Sequence, residues 1–130
     1  MATQIVILNG SRVLVDDSFG IDWADKGNAW QAGWCPNTVH AVIWNNLAGQ
    51  NEIQSKDAST GMMTGNTDLN ATSDAVGSTT IAALLTWAET RKGQIQAAMT
   101  AYDNALADDI TNGTTNAVGK TWVDYDSNHS

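Results

Sequence analysis

The sequence is poorest in cysteine, proline, phenylalanine and basic residues. A single cysteine, Cys35, among 130 residues excludes an intrachain disulfide. Its setting, Trp34-Cys35-Pro36, suits a small apolar side chain beside a turn better than a nucleophile. A thiolate there would need a base, and His40 is the one histidine in that half of the chain. Lys plus Arg total 6 against 14 Asp plus Glu, for a net charge of -8 and a pI near 4.2. That deficit of cations argues against nucleic acid and anionic membrane as partners, because both are bound by basic patches that displace counterions. Long apolar runs are also missing: no window approaches ~18 consecutive apolar residues, so no membrane insertion is expected. The start, MATQIVILNG, lacks the basic and apolar regions of a cleaved signal peptide, which points to synthesis in a reducing cytoplasm. G-x-S-x-G, phosphate-loop and dinucleotide fingerprints are absent from the sequence.

What is present suffices for one modest core. The apolar share is 42%, only 15% of residues are charged, and Asn, Gln, Ser, Thr and Gly make up the difference. The expectation is one domain over 1–130, with a β-rich part over 1–77, a helix over 78–112 and a polar tail over 113–130. Ile5-Val6-Ile7-Leu8 runs into Asn9-Gly10 and then Val13-Leu14-Val15. Asn-Gly between β-branched runs predicts a hairpin whose two turn positions both take positive φ. A loop rich in Asp, Gly and Trp is expected from Asp16 to Asn37. In the next strand Val39, Ala41 and Ile43 alternate with His40, Val42 and Trp44, and Glu52–Lys56 reads as its returning partner. From Asp57 to Gly77 the composition turns polar around Met62, Met63 and Leu69, predicting irregular exposed chain with a short hairpin at Thr60-Gly61.

Apolar residues then recur at three- and four-residue intervals from Ile81 to Ile110, the mark of one helical stripe. Ser78 or Thr79 is the expected cap, Asn112-Gly113 the expected stop, and Gly93 the one blemish. At ~1.5 Å per residue an unbroken helix over residues 79–110 spans roughly 48 Å, against a diameter of roughly 36 Å for a compact body of this length. Either it bends at Gly93, or its far half, with Met99, Tyr102, Leu106 and Ile110, meets something else.

Few residues point to chemistry. Glu52 and Glu89 are the only glutamates, and Asp16, Asp17, Asp22, Asp25, Asp108 and Asp109 look like solvated loop and helix-end positions rather than a glycosidase pair. Asp108 and Asp109 lie at the negative end of the helix dipole, a misfit that a basic partner surface would relieve. Asp124-Tyr125-Asp126-Ser127-Asn128 has the opening spacing of a calcium loop but lacks the later glycine and glutamate, so a polar tail is expected. His40 and His129 do not make a zinc site. No cofactor, no metal and no enzymatic activity are expected.

Six tryptophans are the true excess. Trp44 and Trp87 suit a core. Trp23, Trp30 and Trp34 stand in the Gly-rich loop and suit a contact surface, since tryptophan is enriched at interface hot spots and stacks on sugar rings. Trp122 fastens an otherwise polar terminus, either to its own domain or to a neighbour.

The stretch Asn37-Thr38-Val39-His40-Ala41-Val42-Ile43-Trp44, followed by Gly49-Gln50-Asn51-Glu52-Ile53, resembles a segment of small tail-associated and tail-fibre-assembly proteins of tailed bacteriophages. Leu84-Leu85-Thr86-Trp87-Ala88-Glu89, leading into a long Ala/Gln-rich helix, is similar to them as well. The resemblance implies a non-enzymatic minor virion protein of the tail or tail fibre, found in host cytoplasm during assembly and then in the particle. Its partners would be other virion proteins, in a homo- or hetero-oligomer. A fibre-folding chaperone is the nearest rival, and a module that binds host glycan through Trp23, Trp30 and Trp34 is a third. The expected fold is α+β: an antiparallel β-rich front, a long amphipathic helix and an anchored tail. The expected partner-binding residues are Trp23, Trp30, Trp34, Met99, Tyr102, Leu106, Ile110 and Trp122.

Overall fold

The computed structural model of the chain describes residues 4–16, 19–22, 35–47 and 49–127. Strands Ile5–Leu8 (β1) and Arg12–Val15 (β2) pair antiparallel, with Leu8 opposite Arg12, so the connection is the three residues Asn9 to Ser11. Ser11 N–H donates to Leu8 O at 2.9 Å and Gly10 takes φ 81°. The turn departs from the expected one: Asn9 keeps a negative φ, as in a type II turn. Asn9 is held from outside the hairpin, because its backbone N–H donates to His40 O at 3.1 Å and its side-chain amide to Val39 O at 2.8 Å.

Phe19–Asp22 (β3) pairs with β2, a strand where only loop was expected. Four residues including a glycine give too little pattern to recognise, yet Ile21 is fully buried opposite Val13. Val39–Trp44 (β4) returns to the far side of β1, with Ile5 opposite Trp44 and Ile7 opposite Val42. A bulge between Val39 and Ala41 leaves His40 exposed and shifts the alternation. The core therefore takes Val39 together with Val42 and Trp44, rather than the alternate set the sequence suggested.

Glu52–Lys56 (β5) pairs with β4 as expected, and Met63–Asp68 (β6) pairs with β5. The intervening turn contains Thr60-Gly61, where Gly61 N–H donates to Asp57 O at 2.8 Å. The sheet is antiparallel throughout, in the order β3-β2-β1-β4-β5-β6. A two-stranded ribbon of Ala75–Val76 (β7) and Thr79–Thr80 (β8) leads directly into the helix Ile81–Asn112 (α1).

The helix cap is Thr80 rather than Ser78 or Thr79, with its Oγ1 accepting from Ala83 N–H at 3.2 Å. Ile81 N–H reaches Asp74 O and Ala82 N–H reaches Thr72 O, both at 2.9 Å. Three of the N–H groups that a helix start leaves open are thus satisfied by the residues that precede it. Ile81, Leu84, Leu85, Ala88 and Ile95 press onto one face of the sheet, against Ile5, Ile7, Val13, Val15, Val42 and Trp44. Each of the isoleucine, leucine and valine side chains among them contributes about 1.5–3 kcal/mol by burial. Trp87 lies half-buried against the same core. The architecture is α+β, one long helix on an antiparallel sheet.

Candidate interaction surface

The helix is continuous across Gly93 for 32 residues, roughly 48 Å at ~1.5 Å per residue. Its fully buried side chains stop at Ala98. Beyond that point the apolar stripe divides.

One side of the far half is covered by the chain that follows. Gly113 takes the left-handed conformation at φ 66° and its N–H caps Asp109 O at 2.9 Å. The Asp109 carboxylate accepts from Thr114 Oγ1 at 2.6 Å, from Asn116 N–H at 2.8 Å and from Ala117 N–H at 2.8 Å. The Thr114 hydroxyl and then the Ala117 amide hold this carboxyl below its ordinary pKa, because they bond its charged form. Asp108 accepts from Asn112 Nδ2 and Asn116 Nδ2. Neutral donors of the next eight residues thus already relieve the misfit expected at this helix end.

The returning segment ends in a 3-10 turn, Trp122–Tyr125, packed along α1. Tyr125 lies 6.0 Å from the Tyr102 ring, and its hydroxyl donates to Asn116 O at 3.2 Å. Trp122 packs against the chain's own core. Asp126 forms a bidentate ion pair with Arg91, at 2.6 and 3.3 Å, with both side chains 1% exposed. Asp126, a candidate in the calcium-like spacing, is thus occupied by a guanidinium, while Asn128 and His129 lie outside the described residues.

The other side of the far half is open. Leu85, Lys92, Met99 and Leu106 stand seven residues apart on nearly one line of the helix, which drifts by only ∼20° per step. Leu85 is buried on the sheet, whereas Met99 and Leu106 are 39% and 37% exposed, and Ile110, one turn further, is 85% exposed. The face that meets the sheet at one end overruns it at the other. Of the four helix residues expected to bind a partner, Met99, Leu106 and Ile110 are thus brought together on an uncovered surface. Tyr102 is half-buried beside Tyr125. Trp23, Trp30 and Trp34 lie outside the described residues, as do Asp17 and Asp25. Leu47, Met62, Met63 and Val118 are exposed as well; they lie in polar turns or at the edge strand, where no apolar period marks them in the sequence.

Chemically reactive groups are sparse among the described residues. They contain no group of three potential metal ligands. Burial pushes the Cys35 thiol up to about 11, against a smaller opposing pull from Lys56, so it stays protonated and a poor nucleophile at neutral pH. Glu52 Oε2 is buried without a hydrogen-bond partner, directly across the strands from Asp68. No described helix is long and apolar enough to cross a membrane. No family model, curated protein or solved structure matches the chain.

Proposed function

We propose that this protein is a non-enzymatic minor structural component of a tailed-phage virion, attached to the tail or tail fibre through the outer face of α1. The observation that carries the reading is the line of Met99, Leu106 and Ile110 on a helix that overruns its own sheet. Apolar side chains held in a row on a rigid helix are a ready helix-in-groove or helix-pairing surface. The phage assignment draws on the resemblance of β4, its turn and β5 to small tail-associated proteins. The turn is built by Asn51, a buried polar residue whose Oδ1 accepts from Asn45 N–H at 2.8 Å and whose Nδ2 donates to Leu47 O at 3.1 Å.

Two measurements test the reading. Mass spectrometry of purified particles should find the chain at a fixed ratio to tail proteins. Its absence from particles, with fibres that misfold when it is deleted, would replace the structural role by a chaperone role. In a pull-down with isolated tails or fibres, Ile110→Asp should lose capture with an unchanged circular dichroism spectrum. Undiminished capture by that variant would remove α1 from the interface and turn attention to Trp23, Trp30 and Trp34, whose fluorescence can be titrated with host polysaccharide.

A further inference from the structure

The six-stranded sheet ends at β6, which is exposed at every residue from Met63 to Asp68. Edge strands are normally guarded by lysine, proline or a covering element. Met63-Thr64-Gly65-Asn66-Thr67 carries neither charge nor proline. Among the described residues its one guarding device is the bulge where Ser55 and Lys56 meet Gly65 and Met63, which leaves Gly65 to Asp68 regular.

The phase of the open edge follows from one hydrogen bond. Leu69 N–H donates to Asn51 O at 2.8 Å, so Glu52–Asp68 and Gln54–Asn66 are non-hydrogen-bonded pairs. The backbone groups of Asn66 and Asp68 therefore point away from β5, where the described residues offer them no strand.

Charge selects the occupant. Alternation puts Glu52, Gln54 and Lys56 on one face of β5, with Asp68, Asn66 and Met63 opposite them on β6. One end of the edge is doubly acidic, with Glu52 facing Asp68 and Glu52 Oε2 buried without a hydrogen bond, an arrangement that costs stability. The other end carries Lys56. A strand added antiparallel about a two-fold axis at Asn66 sets the lysine end of each copy against the acidic end of the other. Lys56 of one copy then stands two strand spacings, about 10 Å, from Asp68 of the second, a span its long side chain covers.

We infer that β6 is a self-pairing edge: two copies of this chain join antiparallel through Asn66 and Asp68 into one continuous twelve-stranded sheet (twice the six strands of one copy). This interface is separate from the outer face of α1, so it stands or falls independently of the proposed attachment to a tail.

Sedimentation equilibrium on the full chain tests it. The wild type should show a reversible monomer–dimer equilibrium. Asn66→Pro removes an N–H that bonds nothing within the monomer sheet, so it should weaken the dimer at least about tenfold with an unchanged circular dichroism spectrum. Asp68→Lys should weaken pairing without lowering the thermal midpoint, since it relieves the contact with Glu52 while opposing Lys56 of the second copy. Combining it with Lys56→Asp should restore pairing. Should Asn66→Pro fail to fold, amide exchange on the wild type still decides: the Asn66 and Asp68 amides should gain protection as concentration rises. A wild-type chain that is monomeric at about 1 mM, a dimer unaffected by Asn66→Pro, or one broken by Ile110→Asp instead would each overturn the inference.

Discussion

Single side chains decide how the end of the chain is held. The Arg91–Asp126 pair is 1% exposed on both sides, and Arg91 Nη1 also reaches Gln94 Oε1 at 3.1 Å. Removing one member of a buried pair leaves the other charged and desolvated, so Asp126→Ala should lower stability by about 3–5 kcal/mol in chemical denaturation. Replacing both, as in Arg91→Met with Asp126→Leu, should cost clearly less; an equal loss would mean that shape rather than charge makes the contact. Asp109 gives the pH dependence. Its folded-state pKa is depressed below 3.8 by bonds from Thr114, Ala117 and Asn116, so its contribution is complete above the unfolded value and is lost as pH falls through the folded one. The Asn116 and Ala117 amide resonances should therefore shift together with a midpoint below the ordinary aspartate value, and a midpoint above it would contradict these bonds.

Among the elements, the hairpin and the helix make opposite predictions for glycine. Gly10 takes φ 81°, a region that β-branched residues avoid, so Gly10→Val should cost about 1–3 kcal/mol, read from the denaturation midpoint. Gly93 lies in ordinary helical backbone, exposed, and a Cβ placed there would meet nothing within 4 Å. Gly93→Ala should stabilise the protein by about 0.5–1 kcal/mol, because only the unfolded chain loses freedom. Destabilisation would show that the helix uses that position to bend. Sequence patterning located α1 to within three residues at its start and to the residue at its end, since caps and a stripe of apolar residues are local signals. It missed β3, whose existence depends on pairing with β2, and it set the alternation of β4 wrongly, because a bulge leaves no mark in composition.

For the molecule as a whole, the balance of charge and apolar surface determines how a partner is held. The net charge is -8, yet the acidic pair at the end of α1 is already bonded internally, and the uncovered surface is Met99, Leu106 and Ile110. Binding through that surface should survive the change from 0.1 M to 1 M salt, over which the Debye length shrinks from about 10 Å to about 3 Å. Loss of capture at high salt would instead assign the contact to the acidic surface. Tyr102→Asp belongs to a different class from Ile110→Asp, because Tyr102 also packs on Tyr125; it should loosen the returning segment as well as reduce binding.

By itself the sequence determined the β-rich front, the long capped helix, the acidic surface and the candidate stripe, because each is written in neighbouring residues through turn chemistry, period or composition. Tertiary structure alone decided which part of the stripe stays open. The far half of α1 has the same three- and four-residue spacing as the near half, and nothing in that spacing says where the sheet ends beneath it. The outcome depends on contacts across tens of residues: Asp126 reaching back to Arg91, Tyr125 to Tyr102, and the Asp109 carboxylate gathering the amides that turn the chain. These cover one side of the helix and leave Met99, Leu106 and Ile110 on the other, since a short segment can shield only one flank of a cylinder that outruns its sheet.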